Sequence, residues 1–264
     1  KVKIAFFAAG GKISEKFAEK VSKHCFVIDN SSFYRMNPDV PLVVPQVNAG
    51  DLNLIKKNII ANPNCSTAQL VIVLKPLHDL FSIKRIVVST YQSVSGAGKA
   101  SMDELIEQSK LALSGKNFIS KNFTKQIAFN AIPQIDVFSD DGYTKEELKM
   151  VNETKKILDN NIDLTATCVR LPISVSHCES VNIQFEKPFS IEEIKRAIDN
   201  FEGCKVIDER VDGGYVTPLE AEGKNETFIS RIRVDKTVDN GLNLWIVSDN
   251  LLRGAALNAV EIAE

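Results

Sequence analysis

The chain has few residues of the kinds that form disulfides or bind metals. Its five cysteines are scattered over 264 residues without a C-x-x-C pair, and it has only three histidines. We therefore expect no disulfide framework and no metal site, and a reducing cytoplasm is the expected location. His177 and Cys178 are adjacent, but neighbouring side chains on a strand point to opposite faces and do not share one ion.

Features of membrane proteins and nucleic-acid-binding proteins are also missing. The longest apolar runs, such as Leu70–Leu74, are far too short to span a bilayer, and no signal peptide is visible. The formal net charge is −2, and no block rich in lysine or arginine occurs. We therefore expect neither a membrane nor a nucleic acid as a partner. A G-x-G-x-x-G fingerprint and a P-loop are absent too, so motifs alone do not support nucleotide binding.

What the chain does contain is a regular alternation of strand and helix patterns. The first sixty residues show strand-like runs around one helical pattern, at Val2–Phe7, Ser14–Val21, Phe26–Ile28 and Ile59–Ile60. This order predicts a parallel α/β sheet. Ligands bind beyond the carboxyl ends of such strands, where Gly10-Gly11 and Asp29–Ser32 fall.

The pattern changes after residue 65. Further helices are predicted at Lys99–Leu113, Thr144–Leu158, Ser190–Phe201 and Leu251–Ile262. Further strands are predicted at Arg85–Ser89, Thr165–Leu171, Val181–Phe185, Thr227–Val234 and Leu242–Val247. Residues 66–239 are expected to form an α+β domain with a mostly antiparallel sheet, and the last helix is expected to return to the first domain.

One cysteine lies where its chemistry is expected to change. Ala61–Thr67 (ANPNCST) connects a strand to apolar residues at helical spacing, so a helix is expected to begin near Ser66. Cys65 would then lie at the positive end of the helix dipole, which lowers a thiol pKa and favours the nucleophilic thiolate. The alternative is a buried cysteine that packs as a small hydrophobe.

A reactive thiol needs a proton-transfer partner and groups that hold the substrate. His177 lies in a polar stretch beside a strand, and its imidazole is either that partner or a structural histidine. Arg170, in an otherwise apolar strand, needs an anion, either an internal carboxylate or a substrate carboxylate. Glu146 and Lys149 share a helix face, and most pairs of this kind are solvated salt bridges. Arg35 is either a plain loop cation or an anion-binding one.

Several segments together resemble the aspartate-semialdehyde dehydrogenase family. They are Asn62–Thr67, Thr90–Lys99, Cys168–Arg170 with His177, Gly241–Trp245 and Asp249–Ala259. The related N-acetyl-glutamyl-phosphate reductases have a glycine where this chain has Asn64, which disfavours that alternative. Family members begin with a strand and a glycine-rich turn that this sequence does not show, so we expect the sequence to be truncated at its amino terminus.

The resemblance implies a reaction and a role for each site residue. The reaction is the reversible NADPH-dependent reduction of L-4-aspartyl phosphate to L-aspartate 4-semialdehyde through a cysteine thioester, in the biosynthesis of lysine, methionine, threonine and isoleucine. Cys65 would be the nucleophile, His177 the general acid/base, and Gln92 would orient the acyl intermediate. Arg170 would hold the substrate carboxylate and Glu146 its amino group, and the phosphate would bind to Arg35, Asn64 and Lys149. NADP would contact Ala9, Gly10, Ser95, Gly96, Ala97, Gly98 and Asn250.

The resemblance also implies the architecture and the partners. Residues 1–65 and 240–264 would form an incomplete Rossmann-type NADP-binding domain. Residues 66–239 would form a catalytic and dimerisation domain like that of glyceraldehyde-3-phosphate dehydrogenase. The expected partners are the small-molecule substrate and inorganic phosphate, and the expected assembly is a homodimer or homotetramer. The alternatives are a truncated homologue that acts only as a dimerisation module, or another acyl-phosphate reductase.

Overall fold

The computed structural model describes residues 2–264, which form two β-sheets with helices around them. The strands are β1 (Ile4–Phe7), β2 (Phe26–Asp29), β3 (Ile59–Ala61), β4 (Ile83–Gln92), β5 (Asp163–Arg170), β6 (His177–Phe185), β7 (Cys204–Val206), β8 (Thr227–Asp235) and β9 (Gly241–Ser248). The helices are α1 (Gly11–Val21), α2 (Pro45–Asn48), α3 (Cys65–Phe81), α4 (Lys99–Leu113), α5 (Lys145–Ile157), α6 (Ile191–Asp199), α7 (Pro218–Ala221) and α8 (Leu257–Ala263). Short 3₁₀ segments lie at Ala49–Leu54 and Val94–Ala97, and a π-helical segment lies at Leu252–Ala256.

The smaller sheet is parallel, in the order β1-β2-β3, as the sequence pattern predicts. Val27 and Ile28 of its central strand β2, and all of β3, are buried because helices cover both faces of the sheet. Ala18 of α1 packs with Val27 and Ile59 on one face, and Ile262 of α8 packs with Ile28 on the other. The predicted return of the last helix to this sheet is therefore confirmed.

The larger sheet has the order β5-β4-β6-β9-β8-β7. Three neighbouring pairs are antiparallel, and the two outermost pairs, β4–β5 and β7–β8, are parallel. The predicted mostly antiparallel sheet is confirmed. Helix α3 joins the two cores: Leu70 and Leu74 pack against the larger sheet, whereas Ala68 and Val71 pack with the smaller one.

The sequence predicts a domain boundary at residue 240, but the strand that follows, β9, belongs to the larger sheet. Strand β9 lies between β6 and β8 in the larger sheet and pairs with both. Its alternate residues Leu242, Leu244 and Ile246 are buried in the core of that sheet. The chain returns to the smaller sheet only after Ser248, because the apolar side chains of β9 are buried in the core of the larger sheet.

Some elements differ from the predicted ones or were not predicted. Helix α1 begins three residues earlier than expected, at Gly11, and α3 begins at Cys65 rather than Ser66. The three-residue strand β7 is too short for its periodicity to show in the sequence, and α7 lies within a stretch that has the composition of a loop. Among residues 2–264, no helix is both long enough and apolar enough to cross a membrane.

Candidate active site

Cys65 is the first residue of α3, and the preceding residue caps that helix. The side-chain oxygen of Asn64 accepts hydrogen bonds from the backbone N–H groups of Ser66 (3.0 Å) and Thr67 (3.3 Å). This contact satisfies donors that the first helical turn leaves unpaired. Cys65 is half-buried and lines a cavity of about 450 Å³ between the two sheets.

The cavity gathers most of the predicted site residues. On its wall lie Arg35, Asn64, Cys65, Gln92, Ser95, Gly96, Glu146, Lys149, Arg170 and Asn250. The wall also includes residues that the sequence did not indicate, among them Asp136 and Gly254. Within residues 2–264, no group of three or more acidic, histidine or cysteine side chains is arranged to hold a metal ion.

The remaining predicted residues lie around this cavity. His177 is fully buried behind the loop after β4. Ala9 and Gly10 are exposed beyond the carboxyl end of β1, where Gly10, with φ 89°, precedes α1. Ala97 and Gly98 are exposed at the start of α4.

Glu146 is a buried carboxylate that connects α5 to the nucleophile segment. Its Oε1 accepts hydrogen bonds from Asn64 Nδ2 (2.9 Å) and Gln92 Nε2 (3.3 Å). Its Oε2 lies 3.1 Å from Lys149 Nζ. Burial raises the pKa of Glu146, but Lys149 and these donors outweigh burial, so the pKa lies below its usual value. Glu146 is therefore ionised at neutral pH.

A second buried ion pair lies one turn farther along α5. Arg35 Nη1 lies 3.0 Å from Glu153 Oε1, and Glu153 Oε2 accepts the Asn64 backbone N–H at 2.6 Å. Arg35 also donates to the carbonyl oxygens of Asn62 (2.9 Å) and Asn30 (3.0 Å). Sequence reasoning missed Glu153, although it lies four residues after Lys149 and so continues the same face of α5.

The surroundings of Cys65 raise the pKa of its thiol to about 12. Burial is the largest cause, followed by the Glu146 carboxylate, while Arg170, Arg35 and the Ser66 backbone N–H act in the opposite direction. The helix start therefore lowers this pKa as expected, through the Ser66 N–H, but the expected net lowering is wrong, because burial and Glu146 outweigh it. The effect of a helix dipole amounts to about 1 kcal/mol or less at most sites, which is smaller than the cost of burying a charge. Cys65 is a thiol at neutral pH.

Arg170 and His177 are connected through the backbone of Ser93. Arg170 Nη1 donates to the Ser93 carbonyl oxygen at 2.6 Å, and the Ser93 N–H donates to His177 Nδ1 at 3.1 Å. Burial and the charge of Arg170 lower the pKa of His177 to about 3, so the ring is neutral at pH 7. Because Nδ1 accepts a hydrogen bond, the ring proton lies on Nε2. This Nε2 makes no hydrogen bond with residues 2–264.

Asn250 holds together the two loops that flank His177. Its side-chain oxygen accepts hydrogen bonds from Ser93 Oγ (3.1 Å), Ser95 Oγ (3.1 Å) and the Ser176 backbone N–H (2.9 Å). Ser93 Oγ also lies 3.1 Å from His177 Nδ1. The amide therefore fixes the groups that set the orientation of the imidazole.

Two glycines allow backbone to approach the reactive groups closely. A Cβ on Gly96 would lie 3.1 Å from both Arg170 Nη1 and His177 Nε2. A Cβ on Gly254, in the π-helical segment, would lie 2.5 Å from the Cβ of Cys65. π-helical turns often occur at functional sites, but no feature of the sequence indicated this one.

Comparisons with known proteins agree with this geometry. The semialdehyde dehydrogenase NAD binding domain matches residues 1–55, and the semialdehyde dehydrogenase dimerisation domain matches residues 74–253. An aspartate-semialdehyde dehydrogenase of Aquifex aeolicus is 52% identical over 100% of this chain and 78% of its own length.

Solved structures give the same result. Aspartate semialdehyde dehydrogenase II of Vibrio cholerae matches with a TM-score of 0.94 and 46% identity over 99% of this chain and 78% of that one. A second structure of that enzyme, described as complexed with ASA, matches equally well in TM-score, at 45% identity. The enzyme of Candida albicans, solved with NADP, matches with a TM-score of 0.77 and 25% identity over 99% of this chain and 76% of that one.

The chain thus combines a nicotinamide-cofactor domain with a dimerisation domain around a cavity that contains a cysteine. Its identity to a curated relative exceeds half of the aligned positions, over the whole of this chain. The chain belongs to the aspartate-semialdehyde dehydrogenase family of oxidoreductases.

Proposed function

We propose that the chain converts aspartate semialdehyde, inorganic phosphate and NADP reversibly into aspartyl phosphate and NADPH. The observation that carries this proposal is the cavity in which Cys65 lies among Arg170, Glu146, Arg35 and Lys149. The relatives are named for this aldehyde, and the Vibrio cholerae enzyme is described as complexed with ASA.

The charges of the cavity suit an amino acid with an aldehyde side chain. Arg170 is buried and donates to the Ser93 carbonyl oxygen, and no carboxylate of residues 2–264 forms an ion pair with it. A guanidinium in this state favours a bidentate contact with a substrate carboxylate. Glu146 is ionised and lines the same cavity, so it is suited to the substrate ammonium group.

Bond formation begins at the sulfur atom of Cys65. The Sγ atom bonds to the aldehyde carbon, the π bond of the carbonyl breaks, and the thiol proton is transferred to the carbonyl oxygen, so that a neutral thiohemiacetal forms. Neutral His177, with its proton on Nε2, donates a hydrogen bond to that oxygen past Gly96. In the reductive direction the same Nε2–H donates a hydrogen bond to the oxygen as it gains negative charge, and the general acid/base role is assigned to His177 in its protonated form, because the neutral ring would become an imidazolate on losing that proton.

The loop after β4 fits a nicotinamide cofactor. Ser95 and Gly96 line the cavity next to Cys65, and Gly96 leaves open the space that a Cβ would take from His177 Nε2. Gly10 precedes the first turn of α1, whose backbone N–H groups suit a phosphate. When bound, NADP supplies the hydride acceptor. NADP rather than NAD is proposed, with support from the Candida albicans enzyme, which was solved with NADP.

Phosphate then releases the product. A phosphate oxygen attacks the thioester carbon, the C–S bond breaks, and Cys65 leaves as a thiolate. We assign phosphate binding to Arg35, Lys149 and Asn64. Arg35 is fixed by three hydrogen bonds and retains two further N–H donors. Gln92, which donates to Ser66 Oγ at 2.8 Å, is positioned to orient the acyl group.

The domain division and the assembly complete the proposal. Residues 1–65 and 249–264 are assigned to cofactor binding, and residues 66–248 to catalysis and dimerisation. A homodimer or homotetramer is proposed, with support from the matched dimerisation domain. The place in amino-acid biosynthesis follows from the family name, and the cytoplasmic location stays a prediction of the cysteine pattern.

The decisive experiment is Cys65→Ala, assayed by phosphate-dependent NADPH formation from aspartate semialdehyde, with NAD compared as cofactor. We expect turnover to fall about 10³-fold or more, because no other group can carry the acyl intermediate. Cys25→Ala is the matched control, since Cys25 is also a half-buried free thiol and lies outside the cavity. Mass spectrometry of wild-type protein without phosphate should find the acyl group on Cys65, and an unchanged rate in Cys65→Ala would exclude the mechanism.

A further inference from the structure

Asp136 is a carboxylate of the cavity wall that neither the sequence pattern nor the proposed reaction explains. It lies in the segment between α4 and α5, and its backbone has φ 69°. This left-handed conformation is uncommon outside glycine, although aspartate tolerates it better than most residues. Its side chain faces the cavity that contains Cys65 and Lys149.

The segment that carries Asp136 is tied to both elements that supply substrate-binding groups. Ile132 and Arg170 exchange two backbone hydrogen bonds, of 3.0 and 2.9 Å, at the end of β5. The carbonyl oxygen of Val137 accepts the Lys145 N–H at 2.9 Å, at the start of α5. Asp136 is therefore held in place from both sides.

Asp136 and Glu146 share one ammonium group. Lys149 Nζ lies 3.0 Å from Asp136 Oδ2 and 3.1 Å from Glu146 Oε2. The other oxygen of Asp136 accepts the Val137 N–H at 2.9 Å, which fixes the carboxylate plane. Burial lowers the pKa of Lys149, but the two carboxylates outweigh burial and raise the pKa above its usual value.

The two contacts have different consequences for the cavity. Glu146 is a buried residue of the cavity wall and also binds Asn64 and Gln92, so a lysine paired with Glu146 alone would fold down onto it. Asp136 is the more exposed carboxylate of the two, and it holds the flexible lysine stem up at the cavity surface.

We propose that Asp136 is a positioning residue for the anion-binding part of the site: by sharing the Lys149 ammonium group with Glu146, it keeps that cation at the cavity surface, where inorganic phosphate binds. The identity of the anion rests on the proposed function. The position of Lys149 is a property of the fold and is testable without turnover.

The test uses Asp136→Asn, which keeps the size, the Oδ1 acceptor and the tolerance for a left-handed backbone but removes the charge. In the phosphorylating direction, the phosphate KM should rise about tenfold, because the charge-assisted contact between the Lys149 ammonium group and phosphate is weakened. We expect kcat and the KM values for aspartate semialdehyde and NADP to stay within about twofold, because a positioning role affects ground-state binding. Asp136→Gly, which relieves the backbone, should show the same phosphate defect. Asp79→Asn, which breaks an exposed ion pair with Lys75, is the control.

A second measurement does not depend on activity. Limited acetylation at fixed pH, mapped by mass spectrometry, should modify Lys149 about tenfold more slowly in Asp136→Asn, because its amine is then drawn onto the buried Glu146 and away from the cavity surface. Inorganic phosphate should slow this modification in the wild-type protein, and a higher phosphate concentration should be needed in the variant. Lys75 is the internal reference.

The outcomes separate the two proposals. One outcome is that the protein does not turn over aspartate semialdehyde while phosphate still protects Lys149 from acetylation at a lower concentration in the wild type than in Asp136→Asn. In that case the proposed function fails and the role of Asp136 stands. If the phosphate KM and phosphate protection are the same in Asp136→Asn as in the wild type, the positioning role is overturned. A rise in the KM for aspartate semialdehyde instead would overturn it as well, because Asp136 would then contact the substrate.

Discussion

Glu179 shows how strongly burial controls the chemistry of single residues in this chain. It lies on β6, two residues after His177, and has no exposed surface. Neither carboxyl oxygen makes a hydrogen bond of ordinary geometry with residues 2–264. Burial raises the pKa of Glu179 well above its usual value, and the nearby amide of Gln69 offsets only part of the rise. Glu179 therefore stays a neutral carboxylic acid at pH values where an ordinary glutamate is already ionised.

Glu179→Gln should change how stability depends on pH. Above the ordinary carboxyl pKa of about 4.5, the unfolded chain releases a proton that the folded protein keeps. The free energy of unfolding of the wild type therefore falls with rising pH, by at most about 1.4 kcal/mol per pH unit from this group, until the raised pKa is reached. The variant lacks this term, so its stability relative to the wild type should increase from pH 5 to pH 8.

Urea unfolding at several pH values measures this difference. Glu192→Gln, on the exposed first turn of α6, is the control and should show no comparable trend. A constant difference between Glu179→Gln and the wild type over the whole pH range would mean that Glu179 is not held neutral.

At the scale of elements, helix starts and ends bring the reactive groups together. Thr144 caps α5 with the predicted capping box, which places Glu146 and Lys149 on the turn that faces the cavity. Asn64 caps α3 in the same region. The π-helical segment before α8 brings Gly254 against Cys65, so a third element supports the nucleophile.

Gly254→Ala should disturb the nucleophile. The added Cβ would lie 2.5 Å from Cys65 Cβ and 2.9 Å from its Cα, so one of the two elements has to shift. Overpacking of this kind costs about 1–3 kcal/mol of stability, and the displaced thiol should react and turn over more slowly. Urea unfolding, alkylation of Cys65 by iodoacetamide and the NADPH assay report on these effects.

Gly50→Ala is the matched control, because a Cβ at Gly50 meets nothing within 4 Å. The control should keep the alkylation rate and the activity of the wild type. If Gly254→Ala does the same, the close approach of the π-helical segment has no role in holding Cys65.

At the scale of the whole molecule, the two sheets differ in how well they are enclosed. Strands β6 and β9 lie inside the larger sheet, with partners on both sides and fully buried residues such as Ile183 and Leu242. Within residues 2–264, β1 pairs only with β2, and Phe6 is 52% exposed. Protection against local opening should therefore be unequal.

Native-state hydrogen exchange should show this difference directly. Amides of β6 and β9 should exchange only through global unfolding, whereas β1 amides should exchange at least about 100-fold faster through local opening. The edge strand β5 serves as a comparison, because it also pairs with one neighbour but packs under α5. Equal protection of β1 and β6 would show instead that the two sheets open as one unit.

Much of this architecture could be predicted because its signals are local. The strand–turn–helix pattern around Asn62–Thr67 placed Cys65 at a helix start, and the Thr144 capping box marked the start of α5. Contacts between distant segments left no such signal. Nothing near Asp136 indicated that it would contact Lys149, and the pattern of β9 did not reveal its place between β6 and β8.

The sequence by itself determined most of the longer helices and strands, the cysteine at a helix start and the set of charged residues that resembles a family. The tertiary structure alone decided the protonation states of those residues and their partners. Cys65 is the clearest case: its helix predicts a lowered pKa, yet burial and Glu146, eighty-one positions away, raise it to about 12. The reason is that helix signals act over a few residues, whereas burial and charge act through space between segments that only the fold brings together.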